Sequence, residues 1–399
     1  PRAWTAMLYA GGLATTSDRL LTLIGHRIAR LTSDQRADLA HPISEWLRDR
    51  GEKLQTDFPT IFELVWNALA SALAAHPLPP KFRRADASWV DDGLNMPAGR
   101  MVDALLKDPA RTGFKQDGGL PERWVLQLDQ LLALPGDHRF HAIVMISPHL
   151  NWLYNIDPTW TERQLVVLAE RGGDDATAFW GGYFWGARTP QLPLYQRLKP
   201  SFVALARDGT KRRDHANKLA GMLLAGWGGA EDADPERLVP DVELREILIH
   251  SDDELRTQIL GYLERWSREP DSRWGARIIP FLEKVWPRQR AVRTPRVSSR
   301  LADLALASPE RFVEIVTTIR PWLKSIKGAS LRAGPYLDGE NGLAARHPAA
   351  MLDLLWAILA EDPIQWPYET GKILDILAQA DETAGDHRLA ELRRRQVLL

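Results

Sequence analysis

The chain has 399 residues, of which 45% are hydrophobic and 26% charged, and its formal net charge is −1. This is the composition of ordinary folded domains, and the near-zero charge excludes a global field that would draw the whole molecule to nucleic acid or an anionic membrane. Cysteine is absent, which removes disulfides, thiolate nucleophiles and thiolate metal sites together. Tryptophan stands at sixteen, roughly three times the ordinary number, and rings of that size go to packing or to recognition surfaces.

The longest apolar runs, 142–146 and 219–225, are far shorter than the ~20 residues of a membrane span. The amino terminus shows no secretory signal, because Arg2 is followed by only a short apolar run. A cytoplasmic protein is expected. The opening Pro-Arg-Ala-Trp lacks an initiator methionine, so the sequence reads as a piece of something longer. Arginine outnumbers lysine 40 to 11, the bias that a GC-rich genome produces.

Helical periodicity dominates from the start. Leu20, Leu23, Ile24, Ile28 and Leu31 form an apolar stripe, as do Ile61, Leu64, Val65, Ala68, Leu69 and Leu73. Further on, Leu301, Leu304 and Ala305, then Phe312, Ile315, Val316 and Ile319 repeat the pattern. Alternating β patterns are missing. Asp108-Pro109, Asp157-Pro158, Asp234-Pro235, Asp362-Pro363 and Ser308-Pro309 each put an acceptor at N-cap and proline at N1. Thr60/Glu63, Thr161/Gln164 and Ser251/Glu254 have capping-box spacing.

Trp152, Asp157-Pro158 and Trp160 are echoed by Trp356, Asp362-Pro363 and Trp366, and more loosely by Trp266, Glu269-Pro270 and Trp274. Each reads as a helical hairpin with an aromatic plug at its corner. The expected fold is therefore all-α, an irregular α-solenoid of HEAT- or TPR-like helical hairpin repeats; an irregular multi-domain helical protein gives nearly the same sequence. Breaks at 77–94 and 226–241 delimit an N-terminal helical subdomain (1–80), a central region of Trp-rich hairpins (81–230) and a C-terminal helical-repeat region (231–399). A third break, 327–345, carries Gly328, Gly334, Gly339 and Gly342 and is longer than a typical connection.

Catalytic motifs are missing. Gly371-Lys372 lacks the remainder of a phosphate loop, and no Gly-x-Gly-x-x-Gly, Gly-x-Ser-x-Gly or His-Glu-x-x-His occurs. No catalytic residue, metal or cofactor is assigned. His138-x-x-His141 with His149 has the spacing of a metal site, but a turn and a helix lining account for it as well. The pairs Asp91-Asp92, Asp174-Asp175 and Asp252-Asp253 sit where helices begin and read as caps.

Two segments suit binding. Between 284 and 300 lie Lys284, Arg288, Arg290, Arg293, Arg296 and Arg300 with no acid, beside Trp286. This is a grip for phosphates, a contact to protein, or a solvated connection. Phe179, Trp180, Tyr183, Phe184 and Trp185 form the densest aromatic cluster, read as core packing, a docking patch or a small pocket. Trp180, Trp185 and Trp286 are expected to be more exposed than the corner rings Trp152, Trp160, Trp266, Trp274 and Trp366.

Asn95-Met96-Pro97-Ala98-Gly99-Arg100, with Leu150, Leu153, Asp157-Pro158-x-Trp160-Thr161, Phe179-Trp180-x-Gly182 and the stretch from Pro193 to Pro200, resembles the helical C-terminal region of large bacterial anti-phage defence proteins. In those proteins a sirtuin-like NAD-consuming domain, or a nucleotide-triphosphatase module, precedes the helices. The resemblance implies a sensing or scaffolding region that binds a protein ligand or its own effector domain, and it carries no catalytic residue onto this chain. Asn95 is the first residue it singles out, as a helix cap or a ligand contact. A nucleic-acid-binding helical repeat using 284–300 is the alternative.

Overall fold

The computed structural model describes residues 17–78, 89–186, 188–212, 215–229, 237–270, 272–326, 342–367 and 370–397, together with Trp4 and Leu8. These residues are helical, with no strand; a single isolated bridge joins Leu78 to Gly136. Most of the 327–345 break, and Asp234-Pro235, lie outside the described residues. So do 79–88 and 230–236, within the other two breaks. The chain separates into two compact units, 1–201 and 202–399.

The first unit contains α1 (Asp18–Ala29), α2 (Ser33–Asp38), α3 (Ala40–Asp57), α4 (Pro59–Ala75), α5 (Trp89–Asn95), α6 (Pro97–Leu106), α7 (Glu122–Leu132), α8 (Asp137–Ile146) and α9 (Leu150–Ile156). It continues through α10 (158–171), whose middle, Glu162–Val166, widens into a π turn, and α11 (Gly173–Trp185); helix α12 (Leu192–Arg207) contains the division between units. The centre of the unit is α8. Its residues from His141 to Ile146 are all buried, as expected of a helix that is apolar nearly all round. Helices α5, α6, α7 and α11 pack on it.

Glycines set how closely they approach. A Cβ on Gly182 of α11 would lie 2.1 Å from the Val144 carbonyl oxygen, and one on Gly93 of α5 would lie 2.4 Å from Val144 Cγ1. One on Gly99 of α6 would lie 1.9 Å from the Gly93 carbonyl oxygen. The Pro-Ala-Gly word at 97–99 thus marks a backbone-to-backbone crossing.

The second unit contains α13 (Gly209–Arg212), α14 (Ala216–Gly228), α15 (Asp241–His250), α16 (Asp253–Ser267) and α17 (Trp274–Pro280), which continues as a π turn, Phe281–Val285. Then come α18 (Pro295–Leu306), α19 (Phe312–Ile319), α20 (Leu343–Arg346), α21 (Pro348–Ile358), α22 (Thr370–Gln379) and α23 (His387–Val397). Here α14 packs on α16, α16 on α18, α18 on α19 and α19 on α21.

Several caps differ from expectation. Asp108, Asp157 and Asp362 accept from the backbone N–H groups of Ala110, Trp160 and Ile364 as anticipated, but Asp108 and Asp362 open short 3-10 turns, 109–113 and 363–365, and only Asp157 opens an α-helix. Ser308 makes no such bond. None of the three capping boxes forms: Phe58 and Asp252 occupy the caps near Thr60 and Ser251, and Thr161 lies inside α10. Among the described residues a box forms between Thr32 and Gln35.

Arginines close the corners. A helix end leaves its last carbonyls without intrahelical partners, and a guanidinium offers several donors in a fixed fork. Arg36 donates to the carbonyls of Ala29 (3.2 Å) and Leu31 (2.9 Å) at the end of α1. Arg139 donates to Leu132 (2.9 Å) at the end of α7, and Arg212 to Ala206 (3.2 Å) in the second unit. Arg256 donates to Leu248 (2.8 Å), Ile249 (3.0 Å) and Ser251 at the end of α15. In each case the arginine lies five to eight residues beyond the carbonyl it serves. Part of the arginine surplus is therefore architecture.

Candidate recognition surfaces

The aromatic helix α11 hides most of its rings. Trp180, Tyr183 and Phe184 are 4%, 2% and 2% exposed. Trp180 stacks on Phe184 with centroids 5.3 Å apart, and Phe179 lies parallel to Tyr183 at 6.1 Å. Both pairs are covered because α11 is enclosed by α5, α8, α10 and the 147–149 turn. Burial pushes the Tyr183 phenol far above its usual pKa. Trp185 alone of the cluster turns outward, 53% exposed. Gly186, which follows it, presses so closely on Pro148 that a Cβ would sit 2.7 Å from the proline Cβ. Leu192, at the start of α12, is also more than half exposed.

The expected ordering of tryptophan exposure fails at two of three rings. Trp286 is 2% exposed, packed against Phe281, whereas the corner rings Trp152, Trp266, Trp274 and Trp366 are half-buried. Trp160 is buried, its indole N–H donating to Asp129 Oδ1 at 2.9 Å. Indole size favoured an anchoring role at 286, and sequence spacing does not show which side of a turn faces the core.

Around Trp286 the basic segment is tied down. The Arg293 guanidinium donates to the carbonyls of Pro321 (3.1 Å) and Arg288 (2.9 Å). Arg288 donates to the Glu283 carbonyl (3.1 Å), with its guanidinium 5.8 Å from the Trp322 ring centroid. Val292 is a second buried anchor. Arg288, Arg290 and Arg296 remain exposed. Arg293 is thus a strut as well as a charge. Arg300 turns away to Glu264 of α16, at 3.0 Å.

That contact lies in a cleft of about 400 Å³ lined by Gly261, Glu264, Arg265, Arg268, Glu269, Pro270 and Arg300. Gly261 makes it possible, since a Cβ there would lie 2.7 Å from Arg300 Nη2. Glu264, nearly buried, takes Arg268 (3.1 Å) as well as Arg300. Arg300 pairs with Asp303 at 3.5 Å as well, so ion pairs of Arg268 and Arg300 line the cleft. Sequence reading missed it; Gly261 inside a charged helix was the available signal.

Asn95 is exposed at the last turn of α5 and donates from Nδ2 to the Asp91 carbonyl at 2.9 Å. It does not cap α6, whose N-cap position is Met96. The three aspartate pairs all occupy helix starts, as read. Among the described residues no three histidine or acidic side chains converge as for a metal ion. His138 Nε2 faces the His76 carbonyl at 3.3 Å, and His141 packs its ring beside Trp89.

Burial lowers the His138 pKa, as it does that of His149. The unfolded chain then takes up protons near the usual pH 6.5 before the folded one does, so their stabilising contribution holds above that pH and fades as pH falls through the lowered values. Unfolding curves at pH 7 and pH 5 should show His138→Gln losing less stability on acidification than the parent. Equal losses would remove His138 from the account.

No family model matches the chain, and no solved structure matches it. The chain is similar to Uncharacterized protein y4cA of Sinorhizobium fredii (strain NBRC 101917 / NGR234), 25% identical over 184 residues. The match covers 45% of this chain and 15% of y4cA, a far longer polypeptide.

Proposed function

We propose that this chain is a recognition and scaffolding region, built as an irregular α-solenoid of helical hairpins, that binds a protein ligand or its own effector domain within a cytoplasmic bacterial anti-phage defence protein. The layering of α14, α16, α18, α19 and α21 supports the solenoid reading. Among the described residues no helix is long and apolar enough to cross a membrane. In y4cA the similar stretch is one part of a much larger protein, which suits a region that works beside other domains.

The observation that carries this reading is Trp185. A tryptophan left 53% exposed at the end of a helix whose other rings are buried is unfavourably solvated until a partner covers it. Tryptophan is also enriched at binding hot spots, where truncation costs about 2 kcal/mol or more. Tagged full chain should retain, from cells of the source organism, a protein that Trp185→Asp loses and Trp185→Phe keeps. Equal retention by all three forms would overturn the reading.

A further inference from the structure

We infer that the surface formed by 284–296 and the adjoining 320–324 turn docks an acidic, extended polypeptide segment. The inference rests on the protein-recognition reading above and names the chemistry of the partner at a second place.

The two segments are held together by the bond from Arg293 to the Pro321 carbonyl, by Arg288 over Trp322, and by the Lys324 N–H donating to Ser298 Oγ at 2.9 Å. Buried Trp286 and Val292 pin the loop from below, and Arg245 donates to the Lys284 carbonyl. The backbone is therefore ordered before any partner arrives, which lowers the entropy cost of binding.

On this frame Lys284, Arg288, Arg290, Arg296 and Lys324 are exposed. Among the described residues, no carboxylate lies within ion-pair distance of any of the five. Elsewhere in the chain exposed arginines find one, as Arg171 finds Asp175 and Arg394 finds Glu391. Arg296 also stands in the first turn of α18, which carries no acid of its own; the Asp253 carboxylate of α16 meets that end only at the N-cap, where it accepts from the Thr294 hydroxyl. Five cations without counter-charges on a pinned loop are a site for anions.

The geometry favours carboxylates over a nucleic acid. Phosphate-backbone binding draws on about six to ten cationic contacts, and single strands add stacking on exposed rings. Here six cations are exposed but only five are without a carboxylate, because Arg320 is paired with Asp353, and Trp286 and Trp322 are 2% and 7% exposed, so no indole is offered to a base. Guanidinium forks match carboxylates bidentately, and a short acidic stretch fills a patch of this size.

The test is fluorescence anisotropy on the full chain, with a labelled peptide of about ten alternating Glu and Asp residues beside single-stranded and duplex DNA oligonucleotides at matched ionic strength. Expected is peptide binding that weakens at least about tenfold in the double variant Arg290→Glu/Arg296→Glu and is unchanged in Arg265→Glu, an exposed arginine of α16 outside the patch. No peptide binding, equal binding by the double variant, or tighter binding of DNA than of peptide would each overturn the inference. A partner that still depends on Trp185 in those circumstances would leave the broader reading standing.

Discussion

Gly182→Ala should lower stability by about 3 kcal/mol, while Gly181→Ala, one residue earlier, should leave it unchanged or raise it slightly. Both glycines lie inside α11, where alanine is intrinsically preferred by about 1 kcal/mol. At 181 the added methyl meets nothing nearer than Val144 Cγ2 at 3.9 Å, so the propensity gain survives. At 182 it would fall 2.1 Å from the Val144 carbonyl oxygen and within 3 Å of two further backbone atoms. A backbone cannot swing aside as a side chain does, so α11 must lift from α8. That movement opens the packing of Phe179, Trp180 and Tyr183 beneath it. Denaturant unfolding followed by tryptophan emission compares the two variants directly. Equal effects would refute the close crossing of α8 and α11.

Arg256→Ala should cost about 3 kcal/mol, with the loss centred on the α15–α16 corner. The side chain is 6% exposed and donates to three carbonyls as well as to Asp253 Oδ1 at 2.8 Å. Removing it leaves the last carbonyls of α15 without donors in a place water reaches poorly. Lysine is a weak substitute, because one ammonium cannot span that spread of acceptors. Arg265→Ala is the comparison: that arginine is exposed, lies 5.0 Å from the Tyr262 ring centroid, and its removal should cost under about 1 kcal/mol. Hydrogen exchange should accelerate at 244–256 in Arg256→Ala and stay unchanged elsewhere. Uniform acceleration over the second unit, or none, would show that the corner is not held by this residue.

The two experiments concern different determinants. Close crossing in the first unit depends on missing side chains, whereas the corner in the second depends on one long side chain reaching back. Both are structural uses of residues that in the sequence carry other associations, glycine with loops and arginine with phosphate.

Sequence by itself determined the helical class, the capping role of Asp108, Asp157 and Asp362 before proline, and the placement of the acidic pairs at N-termini. Those features are local: apolar spacing of 3.6 residues, a fixed proline φ and a side-chain oxygen two or three residues from the N–H it accepts. The tertiary structure decided which rings are buried. Trp180 and Trp185 are five residues apart on one helix, yet one is enclosed and the other is not, because exposure depends on which neighbouring helices lie over each face. The same holds at 284–300, where six cations look equivalent in sequence. The fold spends Arg293 on a carbonyl of a distant turn and Arg300 on a carboxylate of α16, and leaves Arg290 and Arg296 free among the described residues. Burial and charge compensation are sums over contacts distant in sequence, and no local pattern encodes them.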